Sequence, residues 1–352
     1  MIILGIETSC DETSAALVVD GRDVLSNVIA SSKEAFASLA GVIPEEAARR
    51  QVECMIPVLH EALHEADTPL KEVDAIAVTQ GPGLLGSLLV GTSTARALSF
   101  AWEKPLVGVH HTLGHLSSPW LAPPGLDAED VDPSFSFPIL TLSASGGHTD
   151  LWYRLSHTRG ELLARTRDDA AGEAFDKGAS ILGLPYPGGP SMAATAEKGS
   201  PTAYKFPLPL RGEKTLDFSF SGLKTSLKYL LRDNPKARED LGNVAASFQH
   251  AICLQLLDRM ERALELRRDV RELHLVGGVS ANLYLRSQAG ELCKRKGIKL
   301  RHPLALSYCT DNAAMIAAAG YFSLTENGGE ATDFFDTKAS LPLEQTLQET
   351  LS

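Results

Sequence analysis

Apolar and polar positions near the start of the chain alternate in a pattern that predicts three short strands. These strands are expected over residues 2–6, 14–19 and 24–30. A polar loop, 7–13, separates the first two. The same order returns in the second half, with strands expected over 137–142, 151–155 and 162–165 around the polar loop 143–149. The chain is therefore predicted to contain one antiparallel β-meander twice.

Each meander is followed by helical periodicity and then by a buried strand that enters a glycine turn and opens a helix. The two buried strands are expected over residues 73–79 and 273–276. Two such α/β units, packed face to face, would form a ligand cleft lined by both polar loops. We expect a first lobe over 1–134, a second over 135–327 with a Pro- and Gly-rich insertion near 186–234, and a loosely docked acidic tail over 328–352.

The bulk composition fits two lobes and excludes several classes of protein. A chain of 352 residues with 44% hydrophobic residues is long for a single core. Its apolar runs are too short to cross a bilayer, so no membrane partner is expected. Five scattered cysteines form no zinc or disulfide spacing, which indicates reduced thiols and a cytoplasmic location. The net charge of −11 means that a nucleic-acid partner would need a local basic patch or a helper protein.

Both polar loops carry residues suited to phosphate binding. Thr8 and Ser9 lie in the first, and Ser145, Gly146 and Gly147 lie in the second, where backbone N–H groups can approach a phosphate without Cβ clashes. A tight hairpin explains either loop alone, and the recurrence at matching positions favours phosphate binding. The run at 277–282 adds an asparagine that can bond a base or ribose.

A histidine pair provides the candidate metal ligands. His111 and His115 are four residues apart where a helix is predicted to begin, so that their imidazoles share one face. Such pairs are often structural, but Asp311, at the start of a second apolar helix, supplies a separate acidic ligand. A zinc protease is excluded, because Thr112 stands where the HExxH motif needs a glutamate.

Other charged groups have simpler interpretations. Asp11, Glu12, Glu173 and Asp176 fall in loops or early helix turns, where carboxylates often cap N–H groups. The densest basic cluster lies at 294–301, at a predicted helix end, where cations usually complement the helix dipole and stay solvated. Nucleic-acid contact there is the minority interpretation.

Nine motifs together resemble one family. They are IETSCDET (6–13), GPG (81–83), HTLGH (111–115), SGGHT (145–149), DAAGEAFDK (169–177), YPGGP (186–190), DFSFSGLKT (217–225), GGVSAN (277–282) and CTDN (309–312). The set is similar to the bacterial branch of the tRNA N6-adenosine threonylcarbamoyltransferase family, once described as a sialoglycoprotein endopeptidase, and covers about residues 2–321. The family belongs to the actin, sugar-kinase and chaperone ATPase superfamily.

The resemblance implies an α/β fold of duplicated actin-like, sugar-kinase-like (ribonuclease H-like) lobes around a nucleotide cleft. It implies transfer of threonylcarbamoyl from threonylcarbamoyl-AMP to N6 of the adenosine 3′ of the anticodon, in tRNAs that read codons beginning with A. His111, His115 and Asp311 match the ligands of one divalent metal ion per subunit. Fe(II) is favoured and Zn(II) is the alternative, since such sites accept several ions.

Further residues match the family's site positions. The substrate-binding matches are Ser143, Ala144, Ser145, Gly146, Gly147, Asp176, Gly189 and Asn282. Asp11 and Glu12 match acidic positions near the reaction centre, and with His148 they are the candidates for managing the amine proton. Expected partners are tRNA, a shorter paralogous subunit, a small ATPase subunit and a separate enzyme that makes the threonylcarbamoyl-adenylate.

Three departures from the family pattern put local contacts to tRNA or partner proteins in doubt. They are Gln51, where a histidine is common, Leu113, where an acidic residue is frequent, and Ser143, where an apolar residue is usual. Two alternative functions stay open. One is an ATPase or small-molecule kinase on the same scaffold, which would not need the histidine pair. The other is a non-catalytic subunit, which would lack both the pair and the long second lobe.

Overall fold

The computed structural model describes residues 1–31, 43–126, 134–326 and 335–343. The strands are β1 (Ile2–Glu7), β2 (Glu12–Val19), β3 (Asp23–Ser31), β4 (Ala75–Gly81), β5 (Leu106–His110), β6 (Ile139–Ala144), β7 (Thr149–Arg154), β8 (Gly160–Arg165), β9 (Glu272–Val276) and β10 (Lys299–Arg301). The helices are α1 (Pro44–Glu65), α2 (Leu85–Trp102), α3 (His111–Ser117), α4 (Ala171–Ile181), α5 (Gly188–Ala196), α6 (Ser221–Asp233), α7 (Leu241–Leu266), α8 (Leu283–Lys296) and α9 (Ala313–Glu326). Among these residues, no helix is both long and apolar enough to span a membrane.

The chain divides into two compact units. Unit 1 comprises Met1–Phe135, Leu155–Gly160 and Pro303–Ser352, and unit 2 comprises Ser136–Arg154 and Glu161–His302. The chain first passes from unit 1 to unit 2 after Phe135, one residue beyond the predicted end of the first lobe at 134. The second differs, since the sequence pattern assigns residues 303–327 to the second lobe and the structure places them in unit 1. The reason is helix α9, which follows unit 2 in sequence but packs on β1, β2 and β4.

Each unit is built on a five-stranded sheet with the same internal order. The order is β3-β2-β1-β4-β5 in unit 1, and β8-β7-β6-β9-β10 is its counterpart in unit 2. In both, a central strand pairs antiparallel with the second strand of the meander and parallel with the later buried strand. The predicted duplication of a β-meander followed by α/β elements is therefore confirmed.

Element boundaries differ from the prediction mainly at the second polar loop. Ser143 and Ala144 were expected in the loop, but they extend β6 and pair with Asp150 and Thr149 of β7. Their small polar and apolar side chains are buried in the sheet, so the polarity of Ser143 does not mark a turn. The loop proper shrinks to residues 145–148.

The insertion predicted near 186–234 contains helices α5 and α6, joined by the irregular segment 197–220. Asp168 fixes the start of α6, because its Oδ1 accepts hydrogen bonds from the N–H groups of Phe220 (2.7 Å) and Ser221 (3.1 Å). This is the helix-capping role that a carboxylate has at an N-terminus.

The C-terminal tail is more firmly attached than its composition predicts. Within the described segment 335–343, the N–H of Lys338 donates to the carbonyl of Gln80 at 2.9 Å. The imidazole of His110 lies 2.8 Å from the carbonyl oxygen of Leu341, which can only accept. This segment, here called the C-terminal strap, therefore bonds to the ends of β4 and β5. The rest of the tail, 328–334 and 344–352, lies outside the described residues.

The core of unit 1 depends on a close approach between β1 and α9. Gly5 on β1 faces the helix backbone, and a Cβ built there would collide with the carbonyl oxygen of Ala313 and lie 2.9 Å from the nitrogen of Ala317. Helix α9 is buried along most of its length and is rich in alanine. Small residues on both elements thus set the distance between sheet and helix.

We predict that Gly5→Ala lowers the thermal unfolding midpoint. The added methyl group meets backbone atoms rather than a flexible side chain, so the clash can be removed only if α9 moves. We expect this to lower the free energy of unfolding by about 1–3 kcal/mol. Gly290→Ala is the matched control. Gly290 lies in helix α8, and a Cβ there would lie 3.9 Å from the side chain of Leu300. Because alanine has a higher helix propensity than glycine, the stability of this variant should equal or exceed the parent's. Equal midpoints for both variants would contradict the tight contact.

Candidate metal centre

Three parallel strands of unit 1 end at one edge of the sheet. β1 pairs with β4 through Ile6 and Val78, and β4 pairs with β5 through Val78 and Gly108. Because the carboxyl ends of parallel strands meet at the same edge, the residues that follow these positions are brought together. They are Glu7, Thr79 and the start of helix α3.

Helix α3 carries the predicted histidine ligands. Its first turn is capped by His110, whose Nδ1 accepts a hydrogen bond from the N–H of Thr112 at 3.1 Å. His111 and His115 then lie one turn apart, with ring centroids separated by 4.8 Å and planes nearly perpendicular. Gly114 lets this helix approach α9, since a Cβ there would lie 2.7 Å from Cδ1 of Ile316.

Asp311 reaches the histidines from the turn before α9. The side chain of Asn312 caps that helix by accepting from the N–H of Met315 at 3.0 Å, which fixes the preceding residue. Oδ1 of Asp311 lies 3.2 Å from Nε2 of His115 and 3.5 Å from Nε2 of His111. The structure therefore brings together all three residues that the sequence nominated as ligands.

The donor set fits a divalent cation. One ligand atom from each residue lies within 4.8 Å of the other two. Ligands bonded at about 2.1 Å to one tetrahedral ion are roughly 3.4 Å apart, which matches the two separations to Asp311. The Nδ1 atom of His115 is buried without a hydrogen-bond partner in the described part of the chain, which leaves Nε2 as the nitrogen facing the carboxylate.

Glu7 supports the centre and was missed by the sequence analysis. Its Oε2 lies 3.2 Å from Nδ1 of His111 and accepts a hydrogen bond from the hydroxyl of Thr79, while its Oε1 accepts from the N–H of Ser9. A carboxylate that accepts from Nδ1 leaves Nε2 unprotonated for a metal, as in many metal–histidine–carboxylate arrangements. The sequence carries no signal for this role, because it depends on the pairing of β1 and β5 with β4 in the folded sheet.

The electrostatic field at this edge favours a positive charge. Burial alone would lower the pKa of His111, but the carboxylates of Glu7 and Asp311 outweigh burial and raise that pKa well above its ordinary value. Burial likewise opposes ionisation of Asp311, whose pKa is nevertheless held well below its usual range by His111 and His115. Burial and the nearby Asp11, Asp311 and Glu12 raise the pKa of the Cys10 thiol. Without a metal, a proton on His111 supplies the positive charge.

The side chain of Gln51 holds the first polar loop in place by hydrogen bonds to its backbone. The Nε2 of Gln51, a fully buried side chain, donates to the carbonyl oxygens of Cys10 and Glu12 at 3.0 Å each. Asp11 and Glu12 are also buried, with 7% and 3% of their surface exposed. The hydroxyl of Thr8 donates to the backbone of Ser87, so a phosphate contact at this residue would fall to its main chain.

The three departures from the family pattern have a structural explanation that differs from our expectation. Gln51, Leu113 and Ser143 are all buried, with at most 3% exposure. Each of these side chains therefore packs inside its own unit. Gln51 instead organises the loop that carries Asp11 and Glu12.

The second polar loop, in unit 2, presents an open glycine turn. Ser145 closes it, because its N–H donates to the carbonyl of His148 at 2.8 Å and its hydroxyl accepts from the N–H of His148 at 3.2 Å. Gly146 and Gly147 are exposed, and a Cβ at either would have no atom within 4 Å. The turn thus leaves room for a ligand to approach its backbone.

The remaining predicted substrate residues of unit 2 also hold its fold together. Asp176 accepts from the N–H of Gly188 at 2.8 Å, and burial raises the pKa of Asp176 despite bonds from Gly188 and Gly189. Asn282 caps α8 by accepting from Leu285 N–H at 3.0 Å, and its Nδ2 donates to a neighbouring glutamine. Capping is the simpler interpretation that the sequence gives for Asp176, whereas for Asn282 it predicts only contact with a ligand.

The duplicated sheets define the class of fold. Two solved structures share it at low identity, a dehydratase component A from Acidaminococcus fermentans (TM-score 0.54, 14% identity, 91% of this chain and 98% of that chain) and HypF from T. kodakarensis (TM-score 0.55, 16% identity, 94% and 48%). With them, the chain has the actin-like α/β ATPase fold. A family model for tRNA N6-adenosine threonylcarbamoyltransferase matches residues 23–318, and the chain belongs to that transferase family.

Curated relatives agree over nearly full length. The chain is 50% identical to a tRNA N6-adenosine threonylcarbamoyltransferase of Symbiobacterium thermophilum, across 91% of both chains. It is 46% identical to one of Trichlorobacter lovleyi across 98% of both, and 42% identical to one of Staphylococcus carnosus across 97% of this chain and 96% of the other. The resemblance stated from the motifs is therefore confirmed.

We predict that Glu7→Gln weakens binding of Zn(II) or Co(II), measured by chelator competition, by about 10–100-fold in alkaline buffer. The loss should shrink as the pH falls. In the parent protein the carboxylate that favours the metal also raises the pKa of His111 and so favours the competing proton.

Glu272→Gln is the matched control for this prediction. Glu272 is also buried and lies 2.9 Å from a histidine, His274, but that pair lies in unit 2 and outside the metal-ligand group. Metal affinity should be unchanged in this variant. An equal loss in both variants would show that Glu7 acts through general stability and not through His111.

Proposed function

We propose that this chain transfers a threonylcarbamoyl group from threonylcarbamoyl-AMP to N6 of the adenosine 3′ of the anticodon, in tRNAs that read codons beginning with A. Membership of the family supports the reaction. The observation that carries the proposal is the convergence of His111, His115 and Asp311 at the strand edge of unit 1. An ATPase or small-molecule kinase would not need this pair of imidazoles.

The reaction makes modest chemical demands on the protein. The carbamoyl carbon is already activated by its bond to phosphate. The N6 amine attacks that carbon, a C–N bond forms, the carbon–oxygen bond to phosphate breaks, and AMP leaves with the electron pair. A base takes one proton from the amine. The protein must therefore position the amine, stabilise charge on the carbonyl and phosphate oxygens, and accept the proton.

The metal centre supports charge stabilisation. His111, His115 and Asp311 would hold one divalent ion per subunit, Fe(II) by preference and Zn(II) as the alternative. When bound, such an ion supplies a Lewis acid with positions left open for substrate oxygens. The role of Glu7 is to orient His111 so that Nε2 faces the ion.

We assign substrate binding to the polar loops and to residues of β6, α4, α5 and the turn before α8. In unit 2 we assign it to Ser143, Ala144, Ser145, Gly146, Gly147, Asp176, Gly189 and Asn282, and in unit 1 to Thr8 and Ser9. The open backbone of the glycine turn supports this assignment for phosphate. Asp11, Glu12 or His148 would accept the amine proton.

We expect the chain to act in the cytoplasm with a shorter paralogous subunit, a small ATPase subunit and a separate source of threonylcarbamoyl-AMP. A surface of unit 1 supports docking of the paralogous subunit. Val52 and Ile56 on α1 are 63% and 68% exposed, and Leu85 and Leu89 on α2 are exposed nearby. Helices α1 and α2 pack together. This helix-pair stripe offers adjacent apolar side chains to water, which is typical of an interface.

We predict that His111→Ala and Asp311→Ala each lower transfer of labelled threonylcarbamoyl to unmodified tRNA, in the presence of the partners, by roughly 100-fold or more. Loss of a Lewis acid removes several kcal/mol of transition-state stabilisation. Bound metal, measured by elemental analysis, should fall in parallel.

The matched control for the transfer assay is His250→Ala. His250 lies in unit 2, where its Nδ1 bonds the hydroxyl of Tyr284, and it is not part of the ligand group. Its transfer rate should equal the parent's. Parent-like modification by both ligand variants would remove the metal from the mechanism.

We also predict that Val52→Glu with Ile56→Glu weakens association with the paralogous subunit at least ~10-fold, as measured by calorimetry, because two charges would be buried in an apolar contact. Leu266→Glu, at a 71% exposed position of α7 in unit 2, is the control and should bind normally. Normal association of the double variant would exclude the helix-pair stripe as the docking surface.

A further inference from the structure

Positive charge in unit 2 is distributed differently from what the sequence indicates. The densest basic cluster, at residues 294–301, is neutralised by acidic partners. Its ion pairs are Lys294–Glu291 (2.7 Å), Arg295–Glu261 (3.3 Å), Lys296–Glu265 (3.4 Å) and Arg301–Glu272 (2.8 Å). Little of its charge is therefore available to an anionic partner.

A second set of cations in unit 2, more widely spaced along the chain, has few acidic residues around it in the sequence. Residues 198–238 contain nine Lys and Arg against three Asp and Glu, a formal charge of +6 in a chain of net charge −11. The three acidic groups pair with arginines. Glu213 and Asp217 bond to Arg167, and Asp233 bonds to its neighbour in sequence. They do not neutralise the lysines around them.

Seven cations of this segment have no ion pair with any carboxylate in the described part of the chain. They are Lys198, Lys205, Arg211, Lys214, Lys224, Lys228 and Lys236, here called the basic segment. All are exposed except Lys224, which is half-buried. Because no carboxylate of the described residues lies within ion-pair distance of them, their charge adds a positive potential to the surface of unit 2, although Glu197, Glu239 and Asp240 flank the segment.

Helix α6 holds part of the basic segment in a fixed position. Leu223 and Leu227 bury one face of the helix in the core of unit 2, and Lys224 and Lys228 follow them one turn apart. The ring of Tyr229 is 53% exposed and lies 4.6 Å from the guanidinium carbon of Arg232. An exposed aromatic ring among cations is a common feature of surfaces that bind RNA.

We infer that the basic segment is the surface on which unit 2 binds the phosphate backbone of the tRNA substrate. This inference rests on the proposed function. The seven cations are spread over a helix, an irregular segment and a turn, so they suit an extended polyanion and not one small anion held by converging groups. A chain of net charge −11 repels RNA as a whole, and such an unneutralised region is one of the two ways to offset that repulsion, the other being a helper protein.

The test is a charge reversal of two cations on α6. Lys224→Glu with Lys228→Glu is compared with the parent for binding of unmodified tRNA over a series of salt concentrations, with the partner subunits present. Log affinity falls with log salt concentration, and each lost phosphate contact reduces the steepness of that fall by about 0.7–0.9. We expect the steepness of this salt dependence to decrease by about 1–2. At low salt the KM for tRNA should rise at least tenfold. The kcat at saturating tRNA should stay within twofold of the parent's.

The matched control is Lys294→Glu with Arg295→Glu. It makes the same change of net charge in the same unit, but at cations that are already ion-paired. Its salt slope should equal the parent's. An unchanged slope for the α6 variant, or an equal fall in both variants, would overturn the inference. Equal thermal midpoints would exclude loss of folding as the cause.

The two proposals can fail separately. Binding of tRNA is measured without chemistry, so a parent protein that binds tRNA with the expected slope but transfers nothing would contradict the proposed activity and leave the surface intact. A parent protein that transfers normally, with an α6 variant indistinguishable from it, would contradict the surface alone.

Discussion

The contact on which unit 1 depends is that of two carboxylates, the buried Glu7 and the half-buried Asp311, with one imidazole, His111. Removing negative charge from water is costly unless a positive charge accompanies it. The two carboxylates accordingly raise the pKa of His111 against the effect of burial. The strand edge is therefore built to hold a cation, and the paired imidazoles give it the donors of a transition metal.

Distant parts of the chain cooperate to maintain this arrangement. Gly5 and Gly114 allow β1 and α3 to approach α9, which carries Asp311 at its start. The C-terminal strap bonds to His110, and His110 caps the helix that bears both imidazoles. The positions of the three ligand side chains thus rest on backbone packing at several places in unit 1.

Much of this could be predicted from sequence, for identifiable reasons. The meanders and their duplication are visible because strand alternation is local, and the spacing of His111 and His115 fixes their common face. Glu7 could not be found in the same way, because hydrophobic patterns do not say which strands become neighbours. Ser143 was assigned to a loop because polarity suggests exposure, whereas β6 buries it. The neutralisation of Lys296 depends on Glu265, whose approach only the packing of α7 beside α8 determines.

The order of the ligands along the chain has a consequence for biosynthesis. Domains generally fold from the N-terminus as they emerge from the ribosome. His111 and His115 appear early, whereas Asp311 appears about 200 residues later. A polypeptide that ends before Asp311 would have Glu7 and both imidazoles but would lack the third member of the ligand group. The complete ligand group therefore exists only after the chain has been made through Asp311.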